Sequence, residues 1–125
     1  MIFGIGNDIA VVERFQRFLD DGNTAILKRL FSEAEQLTCE KRKSAASCYA
    51  ARFAAKEAFL KALGTGLRNG ITWHDMEIVN NDMGKPSLLL SGKAAEIFKS
   101  RGLTASHLSL SHDGGHAVAI VILEA

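Results

Sequence analysis

The stretch FAAKEAFLKALGTG, Phe53 to Gly66, decides the fold, because it predicts the end of a long alanine-rich helix that runs into a Gly-Thr-Gly turn. The helix is expected to span Ser44 to Leu63, about 20 residues of high helix propensity. One side carries small residues that allow close packing against a sheet: Ala51, Ala54, Ala55, Ala58 and Ala62. The other side is expected to face outward or into a cleft, and it carries Phe53, Glu57, Leu60, Lys61 and Gly64.

The segments before this helix are predicted as one strand and three short helices, at residues 2–9, 11–22, 24–31 and 32–39. In the first strand, Gly4 and Gly6 would let another backbone approach closely. The segments after the helix are predicted as two hairpins separated by a helix: strands 71–79 and 87–90, helix 92–101, and strands 106–112 and 116–125. This order predicts an α+β fold, in which antiparallel β-hairpins pack on a long central helix within a single domain, residues 1–125.

The bulk composition excludes several classes of function. The chain has 125 residues, of which 47% are hydrophobic and 23% charged, as is typical of one globular domain. A net charge of +1 offers no polycation to a nucleic-acid backbone, so any anion site must be local. The N-terminus lacks the basic start of a signal peptide, and no apolar run approaches the roughly 18 residues that span a membrane. We therefore expect a cytoplasmic protein that binds neither nucleic acid nor a membrane.

The two cysteines, Cys39 and Cys48, are nine positions apart and fit no zinc or redox spacing. We expect both to be reduced thiols in a cytosolic protein. A zinc site built from His107, His112 and His116 is disfavoured, because their spacings do not recur on one face of a strand.

Two interpretations of Glu57 and Lys61 compete. The simpler one is a surface pair at i and i+4, which contributes a few tenths of a kcal/mol. In the other, Glu57 binds a hard cation such as Mg²⁺ and Lys61 contacts a phosphate. That site needs a second carboxylate, for which Asp8 at the end of the first strand is the best candidate. The alternative role for Asp8 is to cap the helix that follows.

Four motifs resemble the 4′-phosphopantetheinyl transferases, and in particular their short holo-acyl-carrier-protein synthase group. FAAKEAFLKALGTG is similar to the family signature, in which a Phe and a Lys-Glu pair precede Lys-Ala. The opening GIGNDI resembles the N-terminus of that group, with Asp8 in the motif position. MGKPSLLL and SHLSLSHD are also similar, and the resemblance covers essentially the whole chain.

The resemblance implies a reaction: 4′-phosphopantetheine passes from coenzyme A to a serine of apo acyl-carrier protein in fatty acid biosynthesis, and adenosine 3′,5′-bisphosphate is released. It also implies a homotrimer with active sites at the subunit interfaces. Asp8 and Glu57 would be Mg²⁺ ligands, and Lys61 would contact the coenzyme A phosphates. The remaining implied contacts with the nucleotide are Arg52, Phe53, Gly64, Gly84, Lys85, Pro86, His107, Ser109 and His112.

The chemistry fits these residue types, because a metal and a lysine stabilise the charge that develops on the phosphate oxygens. The general base stays open among Asp8, Glu57, His112 and a water held by the metal or a carboxylate. Arg14 and Arg17, on the polar face of the first helix, would pair with an acidic carrier protein, or they form an ordinary solvated face. The alternative function is a non-catalytic module that binds coenzyme A or the carrier.

Overall fold

A long helix runs through the middle of the computed structural model, which describes residues 1–125. In chain order the elements are β1 (Ile2–Val11), α1 (Val12–Asp20), α2 (Thr24–Leu30), α3 (Glu33–Glu40), α4 (Ala45–Leu63), β2 (Met76–Asn80), β3 (Pro86–Leu90), α5 (Gly92–Ser100), β4 (Ala105–Asp113) and β5 (His116–Glu124). The helix α4 is the longest, but neither it nor any other helix combines the length and apolar character needed to cross a membrane.

The strands form two antiparallel sheets, which confirms the predicted α+β class. The larger sheet has the order β1-β5-β4, so the first strand of the chain joins the edge of the C-terminal hairpin. Its register places Ile9 opposite Val118, which in turn lies opposite Ser111. The smaller sheet is the β2–β3 hairpin, which also matches the prediction. One face of the larger sheet packs on α4.

The packing of α4 against β1 depends on Gly4 and Gly6, as the sequence predicted. A Cβ atom at Gly4 would overlap the carbonyl oxygen of Ala62, and one at Gly6 would overlap that of Ala58. These two strand positions therefore let the helix backbone approach directly, and the alanine side of α4 is buried. The opposite side is not uniformly exposed, contrary to the prediction, because Phe53 and Leu60 are also buried.

The segment predicted as strand 71–79 is only partly a strand. Residues Trp73–Asp75 form a single 3₁₀ turn, and β2 begins at Met76. The turn is held by the Asp75 carboxylate, which accepts hydrogen bonds from the Thr72 backbone N–H at 3.3 Å and from its hydroxyl at 3.0 Å. Such local side-chain bonds compete with the strand ladder, which explains the difference.

The prediction of reduced cysteines is wrong in this structure, because Cys39 and Cys48 form a disulfide. Cys39 lies in the last turn of α3 and Cys48 in the first turn of α4. The short connector between the two helices brings their Cα atoms to 5.3 Å, a normal separation for a bridge. Sequence spacing alone does not reveal this contact, because it depends on how the two helices meet.

A buried ion pair, Lys56 with Glu35, joins α4 to three other parts of the chain. The Lys56 Nζ donates to Glu35 Oε1 at 2.7 Å, to the Leu30 carbonyl at 2.8 Å and to the Trp73 carbonyl at 3.2 Å. The same carboxylate accepts from the backbone N–H of Ile78 at 3.0 Å. Burial lowers the pKa of Lys56, and Glu35 opposes that shift. Sequence reasoning gave Lys56 no role, although it lies in the family signature.

Candidate active site

The centre of the candidate site is the contact between Asp8 and Lys61. The Lys61 Nζ donates to Asp8 Oδ1 at 3.0 Å, across 53 positions of sequence. Asp8 lies within β1, on the face that packs on α4, and its side chain is 16% exposed. The side chain of Lys61 is 54% exposed, so its ammonium group is open to a ligand. Asp8 is not a helix cap, because α1 begins after Val11 and has no side-chain cap.

Glu57 lies one turn before Lys61 on α4 and interacts electrostatically with the Asp8 carboxylate. Burial raises the pKa of Glu57, and the negative charge of Asp8 raises it further; Lys61 and Arg14 oppose the shift. Lys61 pairs with Asp8 rather than with Glu57. The simple surface pair at i and i+4 is therefore not formed, and two carboxylates share one half-buried environment.

The two carboxylates are suited to bind a hard cation, and the lysine is suited to contact a phosphate. Mg²⁺ is commonly bound by one or two carboxylates, with substrate oxygens and water completing its coordination. Asp8 and Glu57 supply that number. No group of three or more His, Cys, Asp or Glu side chains in the chain is placed to hold a metal by protein ligands alone. Water or substrate oxygens would therefore complete the coordination of a cation held by these two carboxylates.

A basic cavity lies beside the N-terminal half of α4. Its volume is about 460 Å³, and its cationic lining comes from Arg42, Lys43 and Arg52, with His112 at one side. Arg52 is almost completely buried. It donates to Asn80 Oδ1 at 2.6 Å, and its Nε has no hydrogen-bond partner. A buried, incompletely paired guanidinium in a basic cavity is suited to an anion.

The cavity collects four residues predicted to bind the nucleotide: Arg52, Gly84, Pro86 and His112. It also contains residues that sequence reasoning missed, Arg42, Lys43 and Ser44. The signal was present, because EKRK at residues 40–43 is a cluster of charge between two helices. Its proximity to Arg52 appears once α3 and α4 pack together.

The structure does not bring the other predicted nucleotide contacts into this cavity. Phe53 packs in the aromatic core, with ring centroids 5.5 Å from Phe15 and 5.3 Å from Trp73. Gly64 caps the C-terminus of α4 in the left-handed region, with φ at 84°. Lys85 is exposed on the β2–β3 turn, and His107 and Ser109 are exposed on the outer face of β4. His107 pairs with Glu124.

The two arginines predicted to contact a partner lie together on α1. Both line a depression of about 410 Å³, with Glu13, Phe18 and other residues of the α1 region. The Arg14 guanidinium lies 5.1 Å from the centroid of the Phe53 ring, and Arg17 pairs with Glu13 at 3.2 Å. That pair is highly exposed, so it contributes at most about 1 kcal/mol to stability. The charge of Arg14 also reaches Glu57, which connects this surface to the candidate site.

Comparison with known proteins agrees with these features. A sequence profile described as the 4′-phosphopantetheinyl transferase superfamily matches residues 4–121. A holo-[acyl-carrier-protein] synthase of Trichlorobacter lovleyi is 63% identical over 125 residues, which are 100% of this chain and 99% of the relative.

Two solved structures are also similar over nearly the full length. The holo-[acyl-carrier-protein] synthase of Neisseria meningitidis has a TM-score of 0.90 and 31% identity, with 100% of each chain covered. The Bacillus anthracis synthase, solved in complex with CoA (3′,5′-ADP), has a TM-score of 0.79 and 37% identity, and covers 99% of this chain and 97% of its own.

Proposed function

The chain belongs to the 4′-phosphopantetheinyl transferase superfamily, and on that premise we propose that it transfers 4′-phosphopantetheine from coenzyme A to a serine of an apo acyl-carrier protein. The products are the holo carrier and adenosine 3′,5′-bisphosphate. We place the reaction in fatty acid biosynthesis, as the family resemblance implies; the relatives themselves are named holo-[acyl-carrier-protein] synthases. Residues 1–125 act as one transferase domain, which the match over residues 4–121 supports.

The observation that carries the proposal is the arrangement of charge along α4. The basic cavity surrounds Arg52, and Glu57 and Lys61 lie five and nine residues further along the same helix, with Asp8 of β1 beside them. At 1.5 Å per residue this is about 8–14 Å. Nine residues at about 100° each place Lys61 on the side of α4 opposite Arg52, so a nucleotide that contacts both would lie between the cavity of one copy and the cluster of a neighbouring copy. The family resemblance likewise implies that Lys61 contacts the coenzyme A phosphates.

The reaction needs positioning and charge stabilisation more than covalent chemistry from the protein. The carrier serine hydroxyl attacks the β-phosphorus of coenzyme A, and the bond to the bisphosphate breaks. Lys61, held by Asp8 yet half-exposed, neutralises negative charge on the oxygens of the pyrophosphate. Arg42, Lys43 and Arg52 retain the adenosine bisphosphate end of the substrate.

Mg²⁺ fits the two carboxylates, and Asp8 and Glu57 would hold it. Bound there, it supplies Lewis-acid stabilisation of the pyrophosphate oxygens. Its role is tested without turnover: saturating Mg²⁺ should raise the melting temperature of the wild type, because a ligand bound only by the folded state stabilises it. Asp8→Asn should lose most of that rise. An equal rise in both proteins would remove Asp8 from the metal site.

The carrier protein binds at the α1 surface. Arg14 and Arg17 line the same depression and provide positive charge for an acidic partner, which speeds and orients encounter. The net charge of +1 supports neither nucleic acid nor a membrane surface as a partner. We assign the reaction to the cytoplasm, where coenzyme A and the carrier would both be found in the related pathway.

We further propose that three copies assemble through the outer face of the larger sheet. Monomeric proteins rarely expose a large contiguous apolar patch. This face exposes five large apolar residues, Phe3, Ile5, Ile9, Val11 and Ile120. His107 and Ser109 lie on the same face, so a neighbouring copy would receive them at its site. Light scattering should give about three times the chain mass of 13.5 kDa. Ile5→Asp should lower that mass, whereas Leu37→Asp, at an exposed position of α3, should not.

The direct test of the proposed function uses apo acyl-carrier protein, coenzyme A and Mg²⁺, with intact mass spectrometry of the carrier. The carrier should gain the mass of one phosphopantetheine while adenosine 3′,5′-bisphosphate appears in equal amount. A carrier that gains no mass with several apo proteins, although coenzyme A binds, would identify the chain as a non-catalytic binding module instead.

A further inference from the structure

A covalent link lies beside the basic cavity and encloses part of its cationic lining. The disulfide joins Cys39 at the end of α3 to Cys48 at the start of α4. Between them, Arg42 and Lys43 lie on the connector, and both line the cavity. The transfer reaction needs this charge but makes no use of the two sulfur atoms.

Hydrogen bonds connect the disulfide to the opposite side of the cavity. Arg52 Nη1 donates to Cys48 Sγ at 3.2 Å, and Arg52 Nη2 donates to Asn80 Oδ1 at 2.6 Å. Asn80 in turn donates to the Gly84 carbonyl at 3.0 Å. The sulfur of Cys48 is therefore part of the structure that positions Arg52, the buried cation of the cavity.

Few other interactions hold the connector in place. The side chains of Arg42 and Lys43 are exposed and form no ion pair. The connector is restricted by the backbone N–H groups of Lys41 and Arg42, which donate to the Cys39 carbonyl, and by the Ser44 cap of α4. A disulfide removes conformations from such a short segment, so its loss would increase the freedom of both cations.

The partly exposed end of the disulfide lines the cavity. Cys39 is fully buried, whereas Cys48 is 8% exposed and lines the cavity. A reductant that enters the cavity to reach Cys48 would share the space that the nucleotide would occupy. Disulfides of cytosolic proteins, where they occur, usually act as redox sensors or in catalysis.

We propose that the Cys39–Cys48 disulfide is a redox switch on nucleotide binding, in which the oxidised form holds the Arg42–Lys43 connector in its binding geometry and reduction weakens that binding. The inference rests on the proposed function, which makes the nucleotide the ligand. The reductant is a dithiol. Its thiolate attacks Cys48 Sγ, Cys39 Sγ leaves as a thiolate and takes up a proton, and the second thiol of the reductant releases Cys48 as it closes its own disulfide.

The test measures the affinity of adenosine 3′,5′-bisphosphate, which has no thiol and so cannot exchange with the disulfide. Calorimetry would compare the oxidised wild type with protein reduced by dithiothreitol, each verified by iodoacetamide labelling under denaturing conditions. We expect about tenfold weaker binding after reduction, within the usual range of coupling between two sites. By linkage, bound nucleotide should lower the reduction potential of the disulfide by about 30 mV.

The Cys39→Ser, Cys48→Ser double variant serves as the matched control. It should bind weakly with and without dithiothreitol. If this variant does not fold, the two redox forms of the wild type still decide the question. Equal affinity in both forms, or cysteines that stay reduced when treated with oxidised glutathione, would overturn the switch and leave the transferase function intact. Absence of nucleotide binding in both forms, together with no transfer to the carrier, would overturn both proposals.

Discussion

The Lys61 ammonium lies 3.0 Å from the Asp8 carboxylate, so the C-terminal half of α4 is joined to the first strand at the candidate site. The contact is possible because Gly4 and Gly6 allow the two backbones to approach. It leaves Glu57, one turn earlier on α4, beside a second carboxylate and without a close cationic partner. The site thus contains an electrostatic cost that a bound cation would relieve.

That cost predicts a pH dependence of stability in the absence of metal. The pKa of Glu57 is raised in the folded chain above its ordinary value of 4.5, so the folded state retains this proton more strongly than the unfolded state. The contribution of Glu57 to stability is therefore lost as pH rises from near that value through the raised pKa. In chelator, Glu57→Gln should match the wild type at about pH 3.5 and exceed it at about pH 7.5, by roughly a few tenths of a kcal/mol, because solvent screens this partly exposed charge.

Urea unfolding at a series of pH values would measure this difference. Glu96→Gln on exposed α5 is the matched control and should show no such change with pH. A Glu57→Gln variant that is less stable than the wild type at neutral pH would mean that the Glu57 charge is compensated in the fold.

The buried pair of Lys56 and Glu35 predicts a large loss of stability when one partner is removed. Lys56→Met would leave Glu35 charged, buried and without its cation, at a cost of about 3–5 kcal/mol. Chemical denaturation would measure it. Adding Glu35→Gln to Lys56→Met should recover part of the loss, because the uncompensated charge is gone. If the double variant is less stable than Lys56→Met alone, the hydrogen bonds of Glu35 outweigh its charge.

The close approach of β1 and α4 predicts that Gly6→Ala is strongly destabilising. The new methyl group would overlap the Ala58 carbonyl, which belongs to backbone and cannot rotate away. The expected loss is about 3 kcal/mol. Gly22→Ala is a useful comparison, since nothing lies within 4 Å of its Cβ position and only its positive φ should cost about 1 kcal/mol. Comparable losses in the two variants would show that the helix moves away easily.

Much of the fold could be predicted because its signals are local. The capping box of Ser32 and Glu35 is present as expected, and the turn before His116 joins two paired strands. The two glycines of β1 indicated that another backbone packs closely on this strand, and the small alanine side of α4 indicated that this helix packs closely on a sheet. The pairing of β1 with β5 could not be predicted in the same way, because it joins opposite ends of the chain.

The parts of the site that the sequence did not reveal depend on contacts between helices. The charges of Arg42 and Lys43 were visible, but their position beside Arg52 depends on how α3 meets α4. The disulfide depends on the same contact. Glu35 and Lys56 are 21 positions apart, and only the folded chain shows that both are buried and paired. The residues themselves predicted Asp8 as the second carboxylate beside Glu57, the family resemblance agreed with that pairing, and the geometry adds Lys61 as the direct partner of Asp8.

The measurement that tests the central claim most directly is the initial rate of holo-carrier formation by the wild type, Glu57→Gln and Glu96→Gln, followed by intact mass with coenzyme A and Mg²⁺. If Glu57 stabilises the transferring phosphoryl group through the site it shares with Asp8, the rate should fall at least about 100-fold in Glu57→Gln. Glu96→Gln should stay within about twofold of the wild type. A Glu57→Gln enzyme as fast as the wild type would contradict the assignment of this cluster as the active site.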